Sequence, residues 1–261
     1  MSGHSRWSQI HRQKALTDQK RGQLFTKLAN AITIAAREGG GEPETNFKLR
    51  MAIEKAKEQN MPSENIEKAI KRGTGELEGA KIEETTYEGY GPSGVALLIN
   101  IVSDNKNRAL SEIRNILGRF GGKLGEPGSV SYLFEQKGII TAISDQQSAI
   151  RKEEIELAAI DAGAEDINEQ DDALLIYTNP KELFQVKKRL EEKGVKIASA
   201  GLSMEPKNPV KITEEQKASQ ILKLLDTLDE CQDVANVYAN FDIPDNLFPN
   251  NEIPNTPEKS Q

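Results

Sequence analysis

The chain of 261 residues has very little of what builds disulfides, metal clusters or membrane spans. It contains one cysteine, Cys231, which excludes an internal disulfide and any metal site that needs several cysteines. Its longest apolar run, residues 95–99, is far shorter than the roughly 20 residues that cross a bilayer, and no apolar signal segment follows the first methionine. We therefore expect a protein of the reducing cytoplasm that has no contact with a membrane.

Histidine is equally scarce, which limits the catalytic chemistry that the chain can perform. The two histidines, His4 and His11, are seven residues apart, so a metal site there would need carboxylates from distant parts of the chain. Cys231 is expected to be a small core residue rather than a nucleophile, because free cysteines are commonly buried. The sequence therefore predicts no catalytic residues, no metal site, no cofactor and no enzyme activity.

Positive charge is concentrated at the start of the chain. The whole chain has a net charge of −7, whereas residues 1–37 hold seven lysines and arginines against one acid, Asp18. This segment has a net charge of +6, so the remaining residues carry −13. An acidic body repels a phosphate backbone, and nucleic acid is therefore expected to dock through the basic segment. Charge alone leaves open the alternative of a solvated, frayed N-terminus without a ligand.

An arm of residues 2–22 begins the basic segment. Its apolar residues are too sparse to hold it against a core, which predicts a disordered arm or a lone helix that becomes ordered on binding. Trp7, the only tryptophan, is expected to be exposed there and to stack on an unpaired base or pack into a groove of a large partner. The alternative is that Trp7 folds back onto the helix that carries Phe25.

The spacing of apolar residues predicts how helices and strands follow one another. Helical spacing predicts a three-helix domain over residues 24–73, in which Ser63 caps the third helix. A capping box of Thr213 and Gln216 is expected to open the last helix. Strands are predicted near residues 82–90, 94–103, 130–134, 138–143, 164–168, 172–178, 195–204 and 234–241, with helices between them.

These elements predict an α+β fold with three domains, in which an N-terminal three-helix domain is followed by two α/β domains with antiparallel sheets, one inserted in the other. The basic arm and the helical domain occupy residues 1–78. A discontinuous α/β domain occupies residues 79–130 and 206–241, and the inserted α/β domain occupies residues 131–205. The segment 242–261 has four prolines and no periodicity, which predicts a disordered tail.

A glycine-rich segment at residues 89–94 matches the G-x-G-x-x-G pattern of dinucleotide-binding loops. Such a loop must open a helix, whereas a strand is predicted directly after Gly94. We interpret the segment as a hairpin turn with glycines at positive φ. The alternative is a loop that faces RNA, with Tyr87 and Tyr90 as stacking surfaces.

Short motifs occur in a fixed order from residue 2 to about residue 241. They are Gly3-His4-Ser5 with Trp7, Lys20-Arg21-Gly22 with Phe25-Thr26-Lys27, Ala35-Ala36-Arg37-Glu38-Gly39-Gly40-Gly41, Asn60-Met61-Pro62, Asn65-Ile66-Glu67, Gly73-Thr74-Gly75-Glu76, Tyr87-Glu88-Gly89-Tyr90-Gly91-Pro92, Asp104-Asn105 with Asn107-Arg108, and Gly128-Ser129-Val130. In these motifs the chain resembles the YebC family of bacterial regulatory proteins, whose mitochondrial relatives activate translation of a cytochrome oxidase subunit.

The resemblance implies three domains around a cavity or groove and a non-enzymatic regulator of gene expression. Members of the family are usually described as DNA-binding transcriptional regulators. Others resemble ribosome-associated translation factors that aid the synthesis of difficult, proline-containing stretches. Relatives often carry a denser basic run where this chain has residues 11–14, His-Arg-Gln-Lys, which implies a lower affinity here. A protein-binding adaptor that uses the acidic α/β domains is the third hypothesis.

We therefore expect a monomer that binds nucleic acid, with DNA as the first hypothesis and ribosomal RNA or tRNA, on the ribosome, as the second. The predicted nucleic-acid-binding residues are Arg6, Trp7, His11, Arg12, Lys14, Lys20, Arg21, Lys27 and Arg37. An additional contact is predicted at Tyr87, Tyr90, Asn105 and Arg108.

Overall fold

A computed structural model describes residue 7 and residues 18–79, 81–143, 152–170, 173–244 and 247. In these residues a helical domain is followed by two four-stranded antiparallel sheets with helices, together with a parallel pair of two short strands, which confirms the predicted α+β fold class. The helices are α1 (Asp18–Gly39), α2 (Phe47–Glu58), α3 (Ser63–Thr74), α4 (Lys106–Arg119), α5 (Lys152–Ala162), α6 (Leu183–Glu192) and α7 (Glu215–Asp229). The strands are β1 (Glu83–Tyr90), β2 (Ala96–Ser103), β3 (Lys123–Leu124), β4 (Phe134–Ile143), β5 (Asp166–Gln170), β6 (Ala173–Thr178), β7 (Ile197–Pro206), β8 (Val210–Lys211), β9 (Val234–Ala239) and β10 (Phe241–Asp242).

Helices α1 to α3 form a small apolar core of their own, as the helical spacing predicts. Asn46 fixes the α1–α2 corner, because its buried side chain accepts a bond from the N–H of Leu49 at 3.1 Å and donates to the carbonyl oxygen of Ala35 at 2.7 Å. It therefore caps the start of α2 while it satisfies a carbonyl of α1. The prediction that Ser63 caps α3 is wrong, since Pro62 occupies the cap position and makes no side-chain bond there.

Helices α1 and α3 approach each other closely at Gly73. A Cβ atom at this position would lie 2.7 Å from Cβ of Ala36 and closer still to the carbonyl oxygen of Thr33. Beside this contact, the buried hydroxyl of Thr33 donates to the carbonyl oxygen of Ala69 at 3.0 Å. Only glycine fits at position 73 while the two helices keep this distance.

The first sheet is antiparallel with the strand order β3-β1-β2-β9. Strand β2 is buried on both faces, as its continuous apolar sequence predicts. One face packs against α4 and α7, and the other contacts the helical domain and the connection to the second sheet. The β1–β2 connection is the expected turn, but among its glycines only Gly94 has positive φ. Gly89 is needed for a different reason, since a Cβ would lie 2.9 Å from the carbonyl oxygen of Lys123. A Cβ at Gly91 would lie 3.1 Å from Cδ2 of Leu224, whose side chain would have to shift slightly.

The second sheet has the strand order β5-β6-β4-β7 and is covered on one face by α5 and α6. The prediction of two strands near residues 130–134 and 138–143 is wrong, because a 3-10 turn is followed by one continuous strand, β4. Gly138 lies inside this strand and allows a close approach, since a Cβ there would lie 2.9 Å from Cβ of Leu183.

The chain enters and leaves the second sheet at one place. Phe134 pairs with Pro206 at one end of the β4–β7 ladder. Directly beside this pair, the N–H of Lys207 donates to the carbonyl oxygen of Leu133 at 2.9 Å. The two connections to the first sheet therefore run side by side.

The C-terminal part departs from the prediction in two places. Helix α7 begins at Glu215 behind Glu214 and has no side-chain cap bond, so the predicted capping box does not form. Asp242 belongs to strand β10 and pairs with Lys211 of β8, and Ile243 is only 3 % exposed. The prediction of a disordered tail from residue 242 is therefore wrong at its start. Residues 245–246 and 248–261 of that tail lie outside the described residues.

The helical domain also touches the second sheet's helices. The rings of Phe47 and Phe184 meet edge to face with centroids 5.2 Å apart, and the guanidinium of Arg50 lies 4.4 Å from the ring centroid of Phe184. Next to them, Lys187 pairs with Glu54 at 2.8 Å. Contacts of α2 with α6 therefore fix the position of the helical domain relative to the second sheet.

Candidate nucleic-acid interface

Trp7 lies in the protein core. Its side chain is 7 % exposed and joins the apolar cluster formed by the first sheet, α4 and α7. The indole N–H donates to a carboxylate oxygen of Asp226 at 2.9 Å. The prediction of an exposed indole is therefore wrong. Phe25, the residue named in the alternative, packs against a different cluster, the core of the helical domain.

The described residues include few of the predicted contact residues of the arm. Arg6, His11, Arg12 and Lys14 lie outside the described residues, as does the side chain of Lys20. Arg21 is exposed on the first turns of α1. Arg37, near the end of the same helix, is also exposed and donates to the carbonyl oxygen of Ile82.

Lys27 is not available to a phosphate group, although the sequence placed it among the contact residues. Its ammonium donates to the carbonyl oxygen of Asp229 and lies 3.8 Å from the carboxylate of the same residue. Burial lowers the pKa of Lys27, and the nearby Asp229 offsets only part of that shift. Lys27 thus ties α1 to the end of α7.

The additional contact residues are all engaged within the protein. The side chain of Asn105 caps α4 by accepting a bond from the N–H of Arg108 at 3.0 Å. The guanidinium of Arg108 binds both carboxylate oxygens of the buried Asp233, at 3.0 and 2.9 Å, and this pairing raises the pKa of Arg108. The hydroxyl of Tyr90 donates to the carbonyl oxygen of Ser129 at 3.0 Å, and Tyr87 packs partly into the core. Each of these four side chains therefore has a structural role within the protein.

Glu88 holds the connection that leads into the second sheet. Its carboxylate accepts bonds from the N–H groups of Gly128, Val130 and Ser131 at 2.7, 2.6 and 2.9 Å. Burial raises the pKa of Glu88, but the bonds from Val130, Gly128 and Ser131 outweigh it and hold the pKa below its ordinary value of 4.5. The ionised carboxylate therefore stabilises the folded connection.

Glu88→Gln is expected to lower the free energy of unfolding by roughly 1 kcal/mol at pH 7, because a neutral amide replaces the charged acceptor at a partly exposed site. The folded-state pKa is depressed, so the wild-type advantage is present above pH 4.5 and is lost as the pH falls through the folded-state pKa. Urea denaturation at several pH values measures it. Glu84→Gln, an exposed change on the same strand, is the control. An advantage of the wild type that grows below pH 4.5 would contradict the assignment.

An open groove lies between α1, α3 and the glycine-rich link, the segment from Gly75 to the start of β1. It brings together basic residues that are distant in sequence. It has a volume of about 800 Å³. Arg37 lines it, together with two residues that the sequence did not indicate, Arg72 and Lys81. The one signal in the sequence is the charge pattern of α3, with Glu64 in its first turn and Lys71 and Arg72 in its last, which marks a basic end at Arg72.

A second opening of about 450 Å³ lies between α4 and α7 and includes Cys231. Burial, with the nearby Glu112 carboxylate, raises the pKa of the Cys231 thiol to about 12, so the sulfur is protonated at neutral pH and unreactive. The thiol donates to the carbonyl oxygen of Thr227 at 3.4 Å. Cys231 is 6 % exposed, as expected of a core cysteine. The described part of the chain contains no cluster of three or more metal-binding side chains and no helix able to cross a membrane.

Two family models match the chain. Residues 5–76 match the model described as the TACO1/YebC protein N-terminal domain. Residues 82–241 match the model described as the TACO1/YebC second and third domain. The boundary between the two matches falls in the link between α3 and β1.

Individual relatives are similar over almost the full chain. A protein from Halothermothrix orenii is 51 % identical over 95 % of this chain and 98 % of its own, and one from Pseudothermotoga lettingae is 54 % identical over 94 % and 95 %. Both are named "Probable transcriptional regulatory protein". The crystal structure of a conserved hypothetical protein from Aquifex aeolicus superposes with a TM-score of 0.81 at 48 % identity, covering 89 % of this chain and 94 % of that one.

Proposed function

The chain belongs to the TACO1/YebC family, and we propose that it is a non-enzymatic regulator of gene expression that binds nucleic acid, with DNA as its first candidate ligand. The observation that carries this proposal is the name shared by relatives at 51 and 54 % identity, which describes them as probable transcriptional regulatory proteins. Those names describe regulators rather than enzymes, and this agrees with the absence of a catalytic motif in the sequence.

The distribution of charge supports nucleic acid as the ligand. The N-terminal 37 residues are strongly basic and the remainder is strongly acidic, so a polyanion is attracted to one part of the molecule and repelled by the rest. Within the helical domain, Arg21 and Arg37 of the basic segment are exposed, and Arg72 adds an exposed cation from outside that segment. A docked polyanion would therefore lie along the helical domain.

The ribosomal alternative loses one of its arguments. It relied on an exposed Trp7 that could stack on an unpaired RNA base, whereas the indole is buried and bonded to Asp226. Its other argument, a basic segment on an acidic body, applies equally to DNA. RNA therefore enters the test as a competing ligand.

Binding to nucleic acid is expected to weaken steeply with salt. If four to six phosphates are contacted, log K against log salt has a slope of about −3 to −5. Fluorescence anisotropy with a labelled 24-base-pair promoter duplex, and with a structured RNA of similar length, measures both slopes. Stronger binding of the duplex supports a DNA-binding regulator, and stronger binding of the RNA favours the translational alternative. No binding of either ligand at low salt would contradict the proposal.

A further inference from the structure

The groove beside α3 has an excess of positive charge. Its charged lining residues are Arg37, Arg72, Lys81 and one acid, Glu78, which gives a net charge of +2. Leu77 lines the same groove and is 42 % exposed, an unusual degree for a large apolar side chain. The groove thus presents cations and one apolar surface side by side.

Glycine residues determine where the cations lie. Gly73 allows α3 to touch α1, which brings Arg72 and Arg37 to the same groove. A Cβ at Gly79 would lie 3.1 Å from both Cδ and Nε of Arg72, so the link passes directly over the arginine side chain. The glycine-rich link therefore serves to position a guanidinium group.

The three cations differ in how strongly the protein already engages them. Arg37 uses one N–H group to bind the carbonyl oxygen of Ile82, and a guanidinium has five such donors. Lys81 pairs with Glu83 at 2.9 Å, but its side chain is 80 % exposed, so the pair is weak and easily exchanged. Arg72 is exposed and, within the described ranges, has no carboxylate partner. All three can therefore accept an external anion.

We propose that this groove binds the phosphodiester backbone of a nucleic-acid strand, with Arg72 and Lys81 each contacting a phosphate. The proposal rests on the proposed function, because it places one part of the nucleic acid on the protein surface. Small anions are usually held in pockets that enclose most of their surface, whereas an open groove allows a polymer to enter and leave. Leu77 gives a sugar or base an apolar surface beside the phosphate contacts.

Single neutralising substitutions test the groove. Arg72→Gln and Lys81→Gln are each expected to weaken binding about five- to eight-fold at 0.1 M salt and to reduce the salt slope by about 0.7 to 0.9, the effect of one lost phosphate contact. The probes are fluorescein-labelled 12-nucleotide oligo(dT), oligo(U) and a 12-base-pair duplex. Lys188→Gln on α6, exposed and outside the groove, is the control for the loss of one charge. Melting temperatures establish that each variant folds. If Arg72→Gln does not fold, the binding of Lys81→Gln alone tests the groove.

The outcomes separate this proposal from the proposed function. Weaker binding of any probe by both groove variants, with Lys188→Gln unchanged, supports the groove, and the affected probe shows which form of strand it holds. If the wild-type protein binds the probes and both groove variants bind them as tightly as Lys188→Gln does, the groove proposal is overturned and the proposed function stands. A wild-type protein that binds none of the probes and neither longer ligand overturns both.

Discussion

Trp7→Ala is expected to lower the free energy of unfolding by about 3 kcal/mol, the lower end of the range for a buried aromatic side chain. The indole is 7 % exposed within the core of the first α/β domain, and its N–H is bonded to Asp226. Alanine leaves a cavity where the ring lay and removes the donor from the carboxylate. Urea denaturation followed by circular dichroism measures the loss, since the variant has no tryptophan.

A second substitution separates packing from hydrogen bonding at this position. Trp7→Phe keeps an aromatic ring in the core but loses the N–H donor, so a smaller loss of about 1 kcal/mol is expected. Removal of residues 1–21 should destabilise the protein at least as much as Trp7→Ala. If the unfolding curves of Trp7→Ala and the wild type coincide, the docked indole contributes nothing to stability.

Gly73→Ala is expected to lower the free energy of unfolding by about 2 kcal/mol. Alanine favours a helix by up to about 1 kcal/mol over glycine, but overpacking costs about 1 to 3 kcal/mol and more where backbone must move. The new methyl group would lie 2.7 Å from Cβ of Ala36 and closer to the backbone of Thr33, so α1 and α3 must separate. Thermal unfolding and urea denaturation measure the loss.

The matched control is the same substitution on the partner helix. Nothing lies within 4 Å of a Cβ built on Gly22 of α1, and this residue is exposed. Gly22→Ala should therefore stabilise the protein by about 0.4 to 1 kcal/mol. Because Gly73→Ala also displaces Arg72, it should weaken binding of the 12-nucleotide probes, whereas Gly22→Ala should not. Equal stability changes in the two variants would refute a close helix contact at Gly73.

Most of the fold could be predicted from local patterns. Helices α1 to α3 and the buried strand β2 follow from the spacing of apolar residues, which depends only on each segment. The errors occur where a contact with a distant part of the chain determines the secondary structure or the burial of a residue. Residues 134–137 belong to strand β4 because they pair with residues 203–206 of β7, and Ile243 is buried although its neighbours in sequence resemble a tail. No local pattern reports such contacts.

The candidate site could likewise be predicted only in its local features. The concentration of positive charge in residues 1–37 is visible in the sequence, but which cations remain available is not. The ammonium of Lys27 is bound by Asp229, more than 200 positions away, and the indole of Trp7 is bound by Asp226, so neither side chain is available to a ligand. Conversely, Arg72 and Lys81 lie beyond the basic segment and join Arg37 only because Gly73 lets α3 pack against α1.

The adjacent connections of the second sheet bear on the order in which the protein folds. Strands β2 and β9 pair across more than 130 residues, a separation that includes the segment between Phe134 and Pro206. Once β4 and β7 have paired, the ends of this segment are already together, so the flexible loop between β2 and β9 shortens from about 130 residues to about 60. Halving a loop lowers the entropy cost of closing it by roughly 0.6 kcal/mol. The inserted domain is therefore expected to fold first and to bring the two halves of its host within reach of each other.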